Sequence, residues 1–261
     1  MRGNLRKDSE SDLAETGRLE TFADGVMAIA ITLLILEIDV PHAGPGRSLG
    51  EALGELWPSY AAYFVSFMTI GIIWVNHHHL FTVIQRTNHT FLVLNVLFLM
   101  TIAFLPWPTA LVAEHIRQHD ARTLATVVYG LSMFSIAVMF NVAWRYAARG
   151  LRLLPSNINR NELERVNRSY LSGPITYLVA TVLAFANAWW SLGIFAALAL
   201  YWLLPGSGPR IGRLLEEPVP ESETAASRRP VFVRNTSIGW RSRSSRNRLS
   251  FRWCCLVPIS E

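Results

Sequence analysis

His77, His78 and His79 follow Asn76 without interruption, and a run of imidazoles raises the question of a metal site. On a helix, consecutive residues lie 100° apart, so the three rings point in three directions, whereas paired helical metal ligands need a spacing of three or four. The run therefore reads as polar contact at a helix end, and neither a metal nor any other cofactor is expected. Cys254 and Cys255 are adjacent and give neither a disulfide framework nor a ligand set. What remains with chemical character is a set of charges around one apolar run: Arg18, Glu20 and Asp24 before it, Glu37 and Asp39 after it. Nothing ionisable lies between Asp24 and Glu37. A carrier of ions usually holds an acid or an arginine inside the membrane on the ion's path, so a carrier site has weak support.

The element these charges frame is Arg18 to Asp39, RLETFADGVMAIAITLLILEID. An apolar stretch of roughly 18 residues is long enough for a membrane-crossing helix. It exceeds the usual ~7–15-residue core of a secretory signal, and no small-x-small site follows it directly, so a retained helix is expected. Its one polar interior group, Thr32, can bond back to its own helix. At 100° per residue, Ile29, Leu33 and Leu36 fall within roughly 60° of arc, with Thr32 at the border, over about 10 Å of axis. By periodicity alone this stripe is an ordinary packing or lipid-facing surface as readily as a pore wall.

Arg18-x-x-x-Phe22-Ala23-Asp24-Gly25, followed by Ala28-Ile29-Ala30-Ile31-Thr32-Leu33-Leu34, resembles the first helix of the transmembrane protein 175 family of potassium channels, endosomal and lysosomal in animals and present in bacteria and archaea. The family motif carries Ser where this chain has Ala23. Trp74-Val75-Asn76-His77-His78 and Phe104-Leu105-Pro106-Trp107-Pro108-Thr109-Ala110-Leu111 agree with the same family, so the resemblance runs from about residue 18 to 205. It implies that the first helix lines the central pore of a homotetramer through which K⁺ permeates. Carried over by position, Ile29, Leu33 and Leu36 become a hydrophobic constriction, and Thr32 the adjacent hydroxyl tied to selectivity. Arg18, Phe22, Asp24 and His77 become an inner polar network that holds the helix at its pore angle. Glu37 and Asp39 at the outer mouth would concentrate cations. Stacked aliphatic rings gate by excluding water. A narrow, polar-poor opening would be expected to favour K⁺, which sheds its hydration at less cost than Na⁺. The TVGYG filter of the familiar potassium channels is absent.

Composition agrees with a membrane protein: 51% hydrophobic and 16% charged residues, against ~25% charged in soluble domains. Lys7 is the single lysine, so the net charge of +5 is carried by arginine, which in membrane proteins sets orientation and meets anionic head groups. No nucleic-acid-binding module appears, and nucleic acid is not expected as a partner.

In chain order, residues 1–17 form a polar segment, flexible or interfacial. Six spans follow, making this an all-α integral membrane protein. Helix one runs from about Thr21 to Val40, stopped by Pro41 and the loop PHAGPGRSLG. Helix two runs from about Trp57 to Phe81. Helix three covers about Thr90 to Ala113, loosened near Pro106 and Pro108; Asn95 within it is expected to hydrogen-bond to a neighbouring helix. Helix four covers about Thr123 to Ala147, and INRNELERVNR reads as a short amphipathic surface helix. Ser169 to Leu204 holds roughly 36 residues, two short helices of about 17 joined near Asn187–Ser191. Residues 206–261 form a basic tail rich in Gly, Pro, Ser and Arg, expected to be disordered. Arg86, Arg149, Arg152, Arg160, Arg165 and Arg168 fall after helices two and four, which places both termini in the cytoplasm of a multi-pass cell-membrane protein. The functions to be separated are therefore a potassium-selective channel, a proton-permeable or coupled cation transporter, and a histidine- and metal-dependent membrane enzyme, the channel being the reading adopted and an enzyme the one set aside.

Overall fold

The computed structural model describes residues 2–41, 46, 48–155, 158–203 and 214, with side chains described from Glu15 onward. Among these residues the structure is all α, with eight α-helices and two 3₁₀ turns. Most of the expected tail, 206–261, most of the loop after Pro41 and the cysteine pair lie outside the described residues.

Helix α1 runs Arg2–Leu33, so it begins well before Thr21 and takes in the segment expected to be flexible or interfacial. The residues ahead of Arg18 include Leu, Arg, Lys, Glu and Ala, all good helix formers, and no proline interrupts them. The helix tightens into a 3₁₀ turn, Leu34–Glu37, and the chain is extended at Ile38 (φ −98°, ψ 108°). Termination thus precedes Pro41, and the last turn satisfies its carbonyls by i→i+3 bonding, as in Ile38 N–H to Ile35 O at 3.2 Å.

Helix α2, Leu49–Glu55, starts with a capping box: Ser48 Oγ accepts from Glu51 N–H, and the Glu51 carboxylate accepts from Ser48 N–H. Helix α3, Trp57–Val83, takes Pro58 in its first turn, where a missing N–H costs nothing. The expected third helix is two: α4, His89–Ala103, capped by the Asn88 side chain, and α5, Pro106–His115. Pro106 removes a donor and crowds the carbonyl four residues earlier, so the break falls ahead of it and α5 starts on it. Helix α6, His119–Ala148, ends at a 3₁₀ turn, Arg149–Leu151, where Gly150 supplies the left-handed conformation (φ 67°) common after a helix.

Helix α7, Arg160–Leu183, includes the RNELERVNR run in one continuous helix rather than leaving it as a separate surface piece, since no glycine or proline stands between Arg160 and Ser172. Pro174 lies inside α7 and leaves the Tyr170 carbonyl without its i+4 donor. Asn141 Nδ2, from α6, donates to that carbonyl at 2.7 Å. A turn at 184–187 leads to α8, Ala188–Leu203.

Among the described residues, four segments are long and apolar enough to cross a membrane: Glu15–Glu37, Trp57–Val83, His89–His115 and His119–Leu151. Helix α8 is apolar but has 16 residues, and the first half of α7 is charged. Helix α6 is the hub, packing on α4, α5, α7 and α8. The core forms two clusters, one around Leu19, Phe91, Trp144 and Leu154, the other around Met27, Ala30, Ile102 and Tyr129. Gln85 N–H donates to Leu153 O at 3.0 Å, so the two arginine-bearing connections meet at one end of the bundle. At the other end, Arg117 Nη2 donates to Glu55 O at 2.7 Å.

Candidate functional site

Helix α1 has two unlike faces. Leu19, Ala23, Met27, Ala30 and Leu34 recur at helical spacing and are buried in the chain's own core, packed on α3 and α4. Ala23, where the family motif has Ser, is fully buried among these apolar neighbours. The opposite face carries the expected pore residues: Ile29 is 61% exposed, Leu33 40% and Leu36 75%, and Thr32 is exposed beside them. The stripe survives the change of helix type. In the 3₁₀ turn residues i and i+3 eclipse, so Leu36 lies under Leu33, and the rise from Ile29 to Leu36 grows to about 12 Å. Thr32 Oγ1 donates to Ile29 O at 2.8 Å, the back-bond expected from its sequence position. That bond uses the hydroxyl hydrogen and leaves the oxygen able to accept. Glu37 and Asp39 are exposed just beyond the stripe.

At the other end, the polar residues are joined differently from the arrangement read off the motif. Asp24 Oδ1 accepts from Trp74 Nε1–H at 2.9 Å. Glu20 Oε1 lies 2.9 Å from His78 Nδ1. His77 is fully buried, and its Nε2 sits 3.2 Å from Asn95 Oδ1 on α4, between the rings of Phe81 and Phe98. The hydrogen bond of His77 thus goes to Asn95 and not to Arg18 or Asp24. Asn95 makes the cross-helix contact expected of a mid-helix amide. Arg18 and Phe22 are exposed on the chain's surface. The three histidines occupy three surroundings, as their 100° separation requires: His77 in the core, His78 on Glu20, His79 exposed.

Sequence reasoning did not single out Trp74 or Glu20 as the partners tying α1 to α3. The spacing of Trp74 and His78, four apart on one face of α3, was the available signal. Ring contact between them (6.1 Å between centroids, 21° between planes) sets both side chains toward α1. A second near-motif was also legible. Thr126-Val-Val-Tyr-Gly130 differs from TVGYG at one position. It lies inside the continuous helix α6, where carbonyls accept from the next turn and cannot face an ion. Tyr129 is buried against Phe195, and Gly130 admits the Thr181 side chain of α7.

Residues 18–106 match the family described as endosomal/lysosomal potassium channel TMEM175. A relative named potassium channel Cha6605_3372, from Chamaesiphon minutus, is 45% identical over 193 residues, covering 73% of this chain and 95% of the relative. A solved structure described as a lysosomal potassium-selective channel TMEM175 homolog from Chamaesiphon minutus superposes with a TM-score of 0.65 at 42% identity, over 72% of this chain and 96% of that one. More distant is a Gallus gallus relative named endosomal/lysosomal proton channel TMEM175, 36% identical over 134 residues, which cover 46% of this chain and 27% of that protein. With its all-α bundle, its apolar spans and near-complete coverage of a relative at this identity, the chain belongs to the TMEM175 family of membrane channels.

Proposed function

We propose that four copies of this chain assemble with α1 at a common axis and form a potassium-selective, leak-like channel of the cell membrane. The observation that carries this reading is the two-faced α1: one face is buried in its own subunit, while Ile29, Thr32, Leu33 and Leu36 stay exposed among the described residues. Around a four-fold axis these side chains form stacked rings. Aliphatic rings close such a path by dewetting, and Thr32 places hydroxyl oxygens beside them. Glu37 and Asp39 raise the local cation concentration at the outer mouth. Arg18, Phe22, Asp24 and His77 belong to the inner end, where Asp24 ties α1 to α3 and His77 ties α3 to α4. In this arrangement α7 and α8 supply the fifth and sixth spans, and the arginine-bearing connections favour an orientation with both termini in the cytoplasm. The permeating K⁺ ion is the small partner of this path, and conduction through it calls for no cofactor.

The test is flux from liposomes holding purified protein, comparing K⁺ with Na⁺. Passive K⁺ flux above Na⁺ flux, changed by Leu33→Ala, supports the reading; saturable flux coupled to a second ion refutes it. The name of the vertebrate relative favours one second reading, proton permeation through the same path. Acidification of liposomes with K⁺ absent distinguishes it.

A further inference from the structure

Away from the exposed face of α1, a cavity of about 100 Å³ lies among α3, α4, α6, α7 and α8. Its walls are apolar, including Ile72, Phe98, Met133 and Tyr177, and none of its lining residues is charged. Two polar side chains that line it are each 7% exposed: Asn141 on α6 and Tyr170 on α7. Both Asn141 Nδ2 hydrogens are used, on Ala137 O and on the Tyr170 carbonyl released by Pro174. Asn141 Oδ1 and the Tyr170 hydroxyl are buried with no hydrogen-bond partner. Leaving two such groups unmet in an apolar interior is costly. The site therefore offers one bare acceptor, one free hydroxyl and apolar walls.

We propose that this cavity binds a neutral hydroxyl-bearing amphiphile, an aliphatic alcohol, whose O–H donates to Asn141 Oδ1 while the Tyr170 hydroxyl bonds a polar atom of the same ligand. An anion or an ammonium would enter with no countercharge, which excludes charged head groups. An apolar cavity of ~150 Å³ accepts benzene, so the volume suits a short alkyl segment. Entry passes the half-buried rim residues Asn76, Ser169 and Gly173. A methyl group built on Gly173 meets nothing within 4 Å, so the cavity can be filled from that position without disturbing Asn141 or Tyr170. This inference does not depend on conduction.

The experiment photolabels the full chain in phosphatidylcholine liposomes with a diazirine-bearing octanol and maps the label by mass spectrometry. Label concentrated on residues such as Met133, Phe140 and Tyr177, displaced by octanol and not by octane, is the expected result. Tyr170→Phe keeps the ring on Phe140 and Trp144 and should weaken displacement by octanol about tenfold. Gly173→Leu should abolish the label while the thermal transition and oligomer size are unchanged. Label spread evenly over lipid-facing helices, equal displacement by octane, or labelling untouched by both variants overturns the proposal and leaves the cavity to water.

Discussion

Trp74 Nε1 donates to Asp24 Oδ1 at 2.9 Å, a charge-assisted bond that ties α3 to α1 beside the buried Ala23. Asp24 lies about 140° around the helix from Ile29. The tie therefore acts on the side of α1 away from the exposed stripe and sets the rotation of that stripe about the helix axis. Trp74→Phe keeps the ring and loses the donor. It should lower K⁺ flux in liposomes several-fold and cost about 1.5–3 kcal/mol of stability; the Asp24→Asn variant, which keeps an acceptor, should cost less. Unchanged flux in Trp74→Phe would show that this bond does not position the helix.

Leu33 is 40% exposed within the chain, so Leu33→Ala opens no cavity in the subunit and should shift the melting temperature little. At a pore axis the same change removes a ring of isobutyl groups. K⁺ flux should rise and the K⁺ over Na⁺ preference fall. A face turned to lipid predicts neither change.

Leu36 should sit close to its symmetry mates if α1 meets at an axis. With Cys254 and Cys255 replaced by Ser, a Leu36→Cys variant should form disulfide-linked dimers on mild oxidation in membranes, visible by non-reducing electrophoresis. Tyr201→Cys, on the exposed surface of α8, should stay monomeric, and the reverse pattern would place α1 at the periphery.

Asn95 holds buried His77 from α4 and also donates to Phe91 O at 2.9 Å. Asn95→Leu leaves the imidazole with no hydrogen-bond partner, its Nδ1 already having none. A loss of about 1–3 kcal/mol is expected, read as a lower melting temperature in detergent. Adding His77→Leu should recover much of that loss, because replacing both partners by apolar groups is far less costly than orphaning one.

Gly130 faces Thr181 on α7, and a β-carbon there would collide with the Thr181 hydroxyl, which itself donates to Tyr177 O at 2.7 Å. Gly130→Val should cost about 1–3 kcal/mol by overpacking, measurable as thermal destabilisation. The double variant with Thr181→Ala should be more stable than Gly130→Val alone.

Much was legible in the amino-acid order because the bilayer restricts what a chain can do. Apolar runs of span length, Pro58 at a helix start, Gly150 after a helix end and the frame of charges around Val26–Leu36 each follow from one-dimensional rules about hydropathy, capping and missing donors. The stripe Ile29, Leu33, Leu36 and the back-bond of Thr32 were readable the same way, since periodicity and i−3 bonding are local. Packing alone decided which face of α1 would be buried, because Ala23, Met27 and Ala30 are as apolar as the residues opposite them. It also decided that His77 bonds Asn95 rather than a charged residue, that Trp74 reaches Asp24, and that Asn141 takes the carbonyl released by Pro174. Those partners lie 18 to 50 residues apart, and no local pattern encodes a distance across helices.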